Sequence, residues 1–278
     1  MEPPSILEVR HLRISFRSVQ ALADVSLKVR MGEIHAVLGQ NGAGKTTLMK
    51  ILGGFSPAKA YQGEIIIAGQ PVVLSTPHQA VRNGMAIVPR RPSVFPNLSV
   101  AENIGMGQWK AGRTFAINGN AVRRRAEGTL RELGVTLNLD AGVGELDAGQ
   151  RRLVAIARAV SGRPRLIILD EPAMYATAPA EISQLIRILR LLADQNIASL
   201  YLTPNPEEAM GVADRITVLR DGTVAGTFER INFDAATLAM AMISNQPGRG
   251  AGMDNDEEID GVGGIFRVLR FLGLDSRR

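Results

Sequence analysis

Eight consecutive residues, Gly39-Gln40-Asn41-Gly42-Ala43-Gly44-Lys45-Thr46, have the composition and spacing of a loop that wraps a polyphosphate. Glycines let main-chain N–H groups turn inward around a β-phosphate, where side chains would block the approach. Lys45 brings an ammonium to β/γ oxygens, and Thr46 offers a hydroxyl to Mg2+. The loop has the required neighbours. A short apolar strand, Glu33-Ile34-His35-Ala36-Val37-Leu38, runs into Gly39, and 45–52 reads as a helix stopped by Gly53-Gly54. That helix points its N-terminus, with Thr47 in the first turn, at the same anion.

The second half of such a site is a buried strand ending in carboxylates, and Leu166-Ile167-Ile168-Leu169-Asp170-Glu171-Pro172 supplies it. Asp170 is expected to hold the Mg2+ shell through water, and Glu171 to polarise an attacking water as general base. Two acids closing an apolar strand are costly unless cations sit opposite.

The elements that must position these groups alternate. Residues 6–16 and 21–30 have β periodicity, with further strands expected at 63–68, 85–88, 166–169, 198–202 and 215–219. Asp221-Gly222 marks a hairpin before 223–228. Residues 98–160 are mostly helical in pattern: a Ser99-Val100-Ala101-Glu102 capping box, an arginine-rich helix near 121–133, and another at 150–160. A helical insertion in an α/β core is the simplest arrangement. Residues 245–264 read as a flexible linker rich in Gly, Asp, Glu and Asn, and 265–278 as a short amphipathic tail.

Bulk composition narrows the class. At 278 residues, 45% hydrophobic and 21% charged, the chain has material for one large domain with an inserted subdomain. No apolar run approaches the roughly 18 residues of a membrane span. Met1-Glu2-Pro3-Pro4 has no secretory character, so a cytoplasmic location is expected. Zero cysteines exclude thiolate chemistry and disulfides. The net charge of +5 raises the question of nucleic acid, but the arginines are scattered and only 4% of residues are aromatic, so no nucleic-acid partner is expected.

With the segments between them, the two motifs resemble ABC transporter ATPases, and most closely the bacterial monosaccharide-importer kind of ribose and xylose type. The similarity runs from about Leu7 to Ser244. It is carried by Asn41 to Leu52, Tyr61-Gln62-Gly63-Glu64-Ile65, Pro96-Asn97-Leu98-Ser99-Val100-Ala101-Glu102-Asn103-Ile104, and Ala213-Asp214-Arg215-Ile216-Thr217-Val218-Leu219-Arg220-Asp221-Gly222. The resemblance implies an α/β P-loop NTPase core (about 1–90 and 162–244) with an antiparallel β subdomain and an inserted helical subdomain (about 91–161). It further implies ATP and Mg2+ as ligands and ATP hydrolase chemistry. The implied partners are a second ABC ATPase subunit (the same or a different chain), a transmembrane permease and, indirectly, a periplasmic or lipid-anchored sugar-binding protein. The subunit would lie on the inner face of the cell membrane. Phe16 falls where the family stacks an aromatic on adenine; plain strand packing is the competing reading.

Several family positions are altered. Where the family has a glutamine that meets Mg2+ and the γ-phosphate, Ala86-Ile87-Val88-Pro89-Arg90-Arg91-Pro92 puts Arg90, a donor-only side chain that cannot ligate a metal. Where the signature usually reads L-S-G/V-G-Q, this chain has Leu146-Asp147-Ala148-Gly149-Gln150, so a carboxylate is expected to face a phosphate of the opposite site. Like charges about 4 Å apart repel by ~4 kcal/mol at an effective dielectric of 20. Where the family reads Y-I-S-H, this chain reads Tyr201-Leu202-Thr203-Pro204, and its last histidine is His78. Hydrolysis is therefore expected to be weak or partner-dependent. The alternative is a non-hydrolytic ATP-binding partner of a competent ATPase. In a homodimer, Arg90 and the opposite Asp147 are further expected to meet as a salt bridge.

Overall fold

The computed structural model describes residues 3–17, 19–106, 119–174 and 179–243. These lie within one unit, Met1–Pro247. The linker and tail read from the sequence fall outside the described residues.

Ten strands form one sheet in the order β5-β4-β1-β2-β10-β9-β3-β8-β7-β6. One half, ending at the β6 edge, is parallel: β3 (Ile34–Leu38) lies between β8 (Ala198–Thr203) and β9 (Arg215–Arg220), and β7 (Leu166–Asp170) between β8 and β6 (Met85–Val88). Its other half is antiparallel, built from β1 (Ser5–Phe16), β2 (Val19–Arg30), β4 (Tyr61–Ile67) and β5 (Gln70–Val72). The hairpin strand β10 (Thr223–Glu229) joins the halves, antiparallel to β9 and bridged to β2. The fold is an α/β P-loop NTPase core with an antiparallel β subdomain, as the family resemblance implies.

The parallel strands read as unbroken apolar runs because both their faces are covered. Along β3, Ile34, Ala36 and Leu38 join one core cluster, while Val37 joins the other. On β7, Ile167 and Leu169 face the first cluster and Leu166 and Ile168 the second. The first cluster is closed by α3 (Val100–Gly105), α4 (Gly119–Glu132) and α5 (Ala148–Ser161), the helical insertion, together with α6 (Pro179–Asp194). The second is closed by α1 (Lys45–Leu52) and the antiparallel strands. Ser99 caps α3 in the capping box expected from the sequence. The structure adds β5, α2 (Pro77–Arg82), α6, α7 (Pro206–Val212) and α8 (Ala235–Ile243), which the sequence reading did not single out.

One buried polar network ties the sheet halves together. His35 sits between the Glu33 carboxylate (2.9 Å) and the Thr217 hydroxyl (2.8 Å), and Arg215 donates to the same carboxylate (3.2 Å). Burial pushes the Glu33 carboxyl up, but the bonds and charges of His35, the Arg30 amide and Arg215 outweigh it and hold the group below its ordinary 4.5. Its stabilising contribution is therefore complete above pH 4.5 and is lost as the pH falls through the depressed value. Glu33→Gln is expected to cost about 3 kcal/mol at pH 7. In urea titrations the gap to the parent should narrow as the pH falls below 4.5; a gap independent of pH would contradict the assignment.

Candidate functional site

Parallel pairing fixes which loops meet. Leu38 pairs with Thr203, Asp170 with Leu202, and Val88 with Leu169. The carboxyl ends of β3, β8, β7 and β6 therefore release Gly39, Pro204, Glu171 and the Pro89-Arg90 segment along one edge of the sheet. Ligand sites of open α/β sheets lie at this edge.

The Gly39–Thr46 loop follows β3 directly. Gly39 donates to the Thr203 carbonyl (3.2 Å), and a Cβ there would lie 2.3 Å from the Leu219 carbonyl oxygen. Gly42 and Gly44 have φ of +89° and +108°, the left-handed region that favours glycine. Gly44 is the N-cap of α1 and makes no side-chain cap, so the first-turn amides at Lys45, Thr46 and Thr47 keep their donors for an anion. Lys45 is buried, its Nζ donating to the carbonyls of Gly39 (2.6 Å) and Gln40 (3.0 Å). Burial lowers its pKa against the opposing pull of Glu171 and Asp170. An anion arriving in the cradle meets an ammonium already stripped of water. Gln40 and Asn41 are exposed at the rim, and Ala43 is buried.

Across from the cradle, Thr46 Oγ1 donates to Asp170 Oδ2 at 3.3 Å. Asp170 is 3% exposed, and its Oδ1 has no hydrogen-bond partner among the described residues. Burial first, then the charge of Glu171, pushes this carboxyl above its ordinary value. An orphaned carboxylate oxygen beside a threonine hydroxyl fits a hard divalent cation, so the donor set suits Mg2+.

Glu171 is buried and adopts φ +47° on the turn out of β7, held by its amide donating to the Leu202 carbonyl (2.8 Å). A bulky residue in that region marks local strain of about 1–3 kcal/mol, a feature concentrated at functional sites. Its side chain is engaged: Arg90 Nη2 forms an ion pair with Glu171 Oε2, while Arg90 Nε donates toward Met174 Sδ (2.9 Å). Arg90 and the expected base are thus partners within one chain, a pairing the sequence reading missed. The strand register carried the signal, since each residue lies two positions beyond a Val88–Leu169 pair.

The other altered positions have local explanations. Asp147 is the N-cap of α5, accepting from the Gln150 amide (2.7 Å), while the Gln150 side chain accepts from the Asp147 amide (3.2 Å). Here aspartate does the capping work of a serine, and its carboxylate is committed to the helix end. Gly149 sits in the first turn, where a Cβ would lie 3.2 Å from Glu181 Oε1. Asp147→Ala should cost about 1 kcal/mol of stability, and Asp147→Ser almost nothing, read from urea midpoints. Equal losses would contradict the cap. Pro204, half-buried, ends β8 beside Gly39, and the Asn205 side chain caps α7 independently of it. Phe16, at the end of β1, is 51% exposed, which disfavours the strand-packing reading.

Fold and site together define a P-loop nucleotide-binding protein. The chain belongs to the ABC transporter family, whose profile matches residues 22–174. It is 39% identical over 248 residues to the ribose import ATP-binding protein RbsA 2 of Burkholderia pseudomallei (strain 1710b), covering 87% of this chain and 47% of that one. A ribose import ATP-binding protein RbsA 1 of Burkholderia cenocepacia (strain HI2424) is also 39% identical, over 244 residues, with the same coverage. The chain thus spans about half the length of these relatives. Among solved structures, the ADP conformation of MJ1267, an ATP-binding cassette of an ABC transporter, superposes with a TM-score of 0.75 at 23% identity, covering 84% of this chain and 95% of that one. A putative metal-chelate type ABC transporter gives 0.70 at 27% identity, covering 86% and 88%.

Proposed function

We propose that this chain is the ATP-binding subunit of an ABC transporter that imports a ribose-type sugar, and that its own hydrolysis is depressed. Nucleotide binding rests on one observation above all: the buried Lys45 ammonium inside a cradle of glycine-presented amides. Thr46 and Asp170 would hold Mg2+, which when bound neutralises charge on the β- and γ-phosphates. Sugar import is supported by the relatives, both named for ribose import. In this reading the chain is peripheral on the cytoplasmic face, and no described helix is long and apolar enough to cross a membrane. It pairs with a second ABC ATPase, the same or a different chain, and moves a permease fed by a sugar-binding protein.

Depressed hydrolysis is supported by the Arg90–Glu171 pair. A carboxylate oxygen already accepting from a guanidinium is occupied and is not free to orient an attacking water. The same pair favours a second reading, a non-hydrolytic ATP-binding regulator of a competent partner. Steady-state hydrolysis by the chain alone and mixed with a candidate partner ATPase separates the two. Slow turnover alone supports the subunit reading, whereas none alone, with stimulation of the partner by the ATP-bound chain, supports the regulator. Turnover of ordinary size from the chain alone contradicts both.

A further inference from the structure

Two main-chain carbonyls at the end of β8 anchor the nucleotide site. The Leu202 carbonyl accepts from the Glu171 amide (2.8 Å), and the Thr203 carbonyl accepts from the Gly39 amide (3.2 Å). The first holds the positive-φ turn on which Glu171 sits, and the second sets where the phosphate loop leaves β3. A cradle of amides is only as well placed as the backbone that anchors it. The end of β8 must itself be held, and Pro204, which follows it, has neither an amide hydrogen nor a polar side chain for the task.

The hold comes from α7. Tyr201 and Thr203 lie two residues apart on β8, so their side chains leave the same face of the sheet. Both hydroxyls donate to one carboxylate, that of Glu208: Tyr201 to Oε1, and Thr203 to Oε2 at 2.6 Å. The Thr203 hydroxyl also accepts from the Asn205 amide (3.1 Å), and the Asn205 side chain accepts from the amides of Glu207 (2.9 Å) and Glu208 (3.4 Å). The turn around Pro204 is thereby closed by a ring of hydrogen bonds. Tyr201 and Thr203 are both buried, so removing Glu208 would leave two buried hydroxyls without their acceptor. Burial above all, then the charge of Glu208 and its bond to the phenol, pushes the Tyr201 hydroxyl well up against the pull of Arg152, so it stays a donor.

We propose that Glu208 is a positioning residue of the nucleotide site, clamping the end of β8 so that its last two carbonyls hold Gly39 and Glu171 in place. It acts through Tyr201 and Thr203, not by contact with the nucleotide. The inference rests on the nucleotide-binding reading given above and adds to it a residue outside both the phosphate loop and the Asp170-Glu171 strand end. Because Asn205 caps α7 independently, the helix does not need the Glu208 carboxylate in order to form.

The test combines calorimetry with MgATP and amide hydrogen exchange on the full chain. Glu208→Ala is expected to bind MgATP about tenfold more weakly than the parent. Its Gly39 and Glu171 amides should exchange about tenfold faster or more, while amides in the middle of β3 and β7 keep parental rates. Glu208→Gln, which keeps one carbonyl acceptor, should fall between the two. The double variant Tyr201→Phe, Thr203→Val removes both donors and should match Glu208→Ala; it carries the same two readouts if Glu208→Ala does not fold. A change that merely loosened the fold would speed exchange along both strands alike, and that result overturns the proposal. So does an affinity within about twofold of the parent's. Both of those outcomes leave the nucleotide-binding reading standing. A parent that binds no MgATP overturns that reading and the proposal with it.

Discussion

Replacing Arg90 with glutamine and Pro204 with histidine together is expected to raise steady-state ATP turnover about 10²-fold. The two changes act on different faults. Glutamine at position 90 carries no charge, so Glu171 loses the ion pair that occupies it and regains its lone pairs for a water. Histidine at position 204 restores a side chain with hydrogen-bonding capacity beside Gly39, at the carboxyl end of β8, where proline has none. Neither change should disturb the scaffold. Arg90 is partly exposed, and α7 is capped by Asn205 rather than by Pro204. Pro204→His alone is expected to do little, because Glu171 remains held by Arg90. Phosphate release at saturating MgATP measures both effects. If the double variant is no faster than the parent, the Arg90–Glu171 contact is not what limits the reaction.

Gly44→Ala is the second large effect, a loss of ATP affinity of about 10²-fold. Gly44 adopts φ +108°, and a Cβ there would lie 2.6 Å from a Leu22 methyl and 2.8 Å from the Ala21 carbonyl oxygen. The left-handed conformation alone costs about 1–3 kcal/mol for a residue with a side chain. Because Gly44 is the N-cap of α1, any relief of the clash rotates the amides that face the anion. Gly42→Ala makes the informative contrast. Its φ is also positive, but no atom lies within 4 Å of its would-be Cβ, so it should lose less. Equal losses at the two positions would mean that backbone conformation, not the approach to β2, sets the effect.

How much of this was legible in the sequence depends on how local each signal is. The phosphate loop and the strand ending in Asp170-Glu171 are contiguous motifs flanked by the elements they require, and both lie where the sequence places them. Asp147 was also legible, though not as read: Asp147-x-x-Gln150 before an apolar-periodic run is a capping box of the same kind as Ser99-x-x-Glu102, and the helix end claims its carboxylate. Arg90 and Asp147 are each engaged within their own chain, so a salt bridge between them across a dimer would first have to break those contacts. The Arg90–Glu171 pair spans 81 residues and follows only once β6 and β7 are known to be parallel neighbours in a definite register. Of the elements passed over, α7 had a readable start in Asn205-Pro206-Glu207-Glu208, an N-cap with proline and acids in the first turn. The three-residue β5 had no periodicity to detect.

Everything above depends on polyphosphate entering the loop between Gly39 and Thr46 and meeting the Lys45 ammonium. Calorimetric titration of the full chain with MgATP, beside the Lys45→Ala variant, tests this most directly. The parent should bind at one site per chain, and the variant, deprived of one charge-assisted contact to the phosphates, should bind about 10- to 10²-fold more weakly with its melting curve intact. Equal heats from parent and variant, or none from either, would contradict the assignment of the loop.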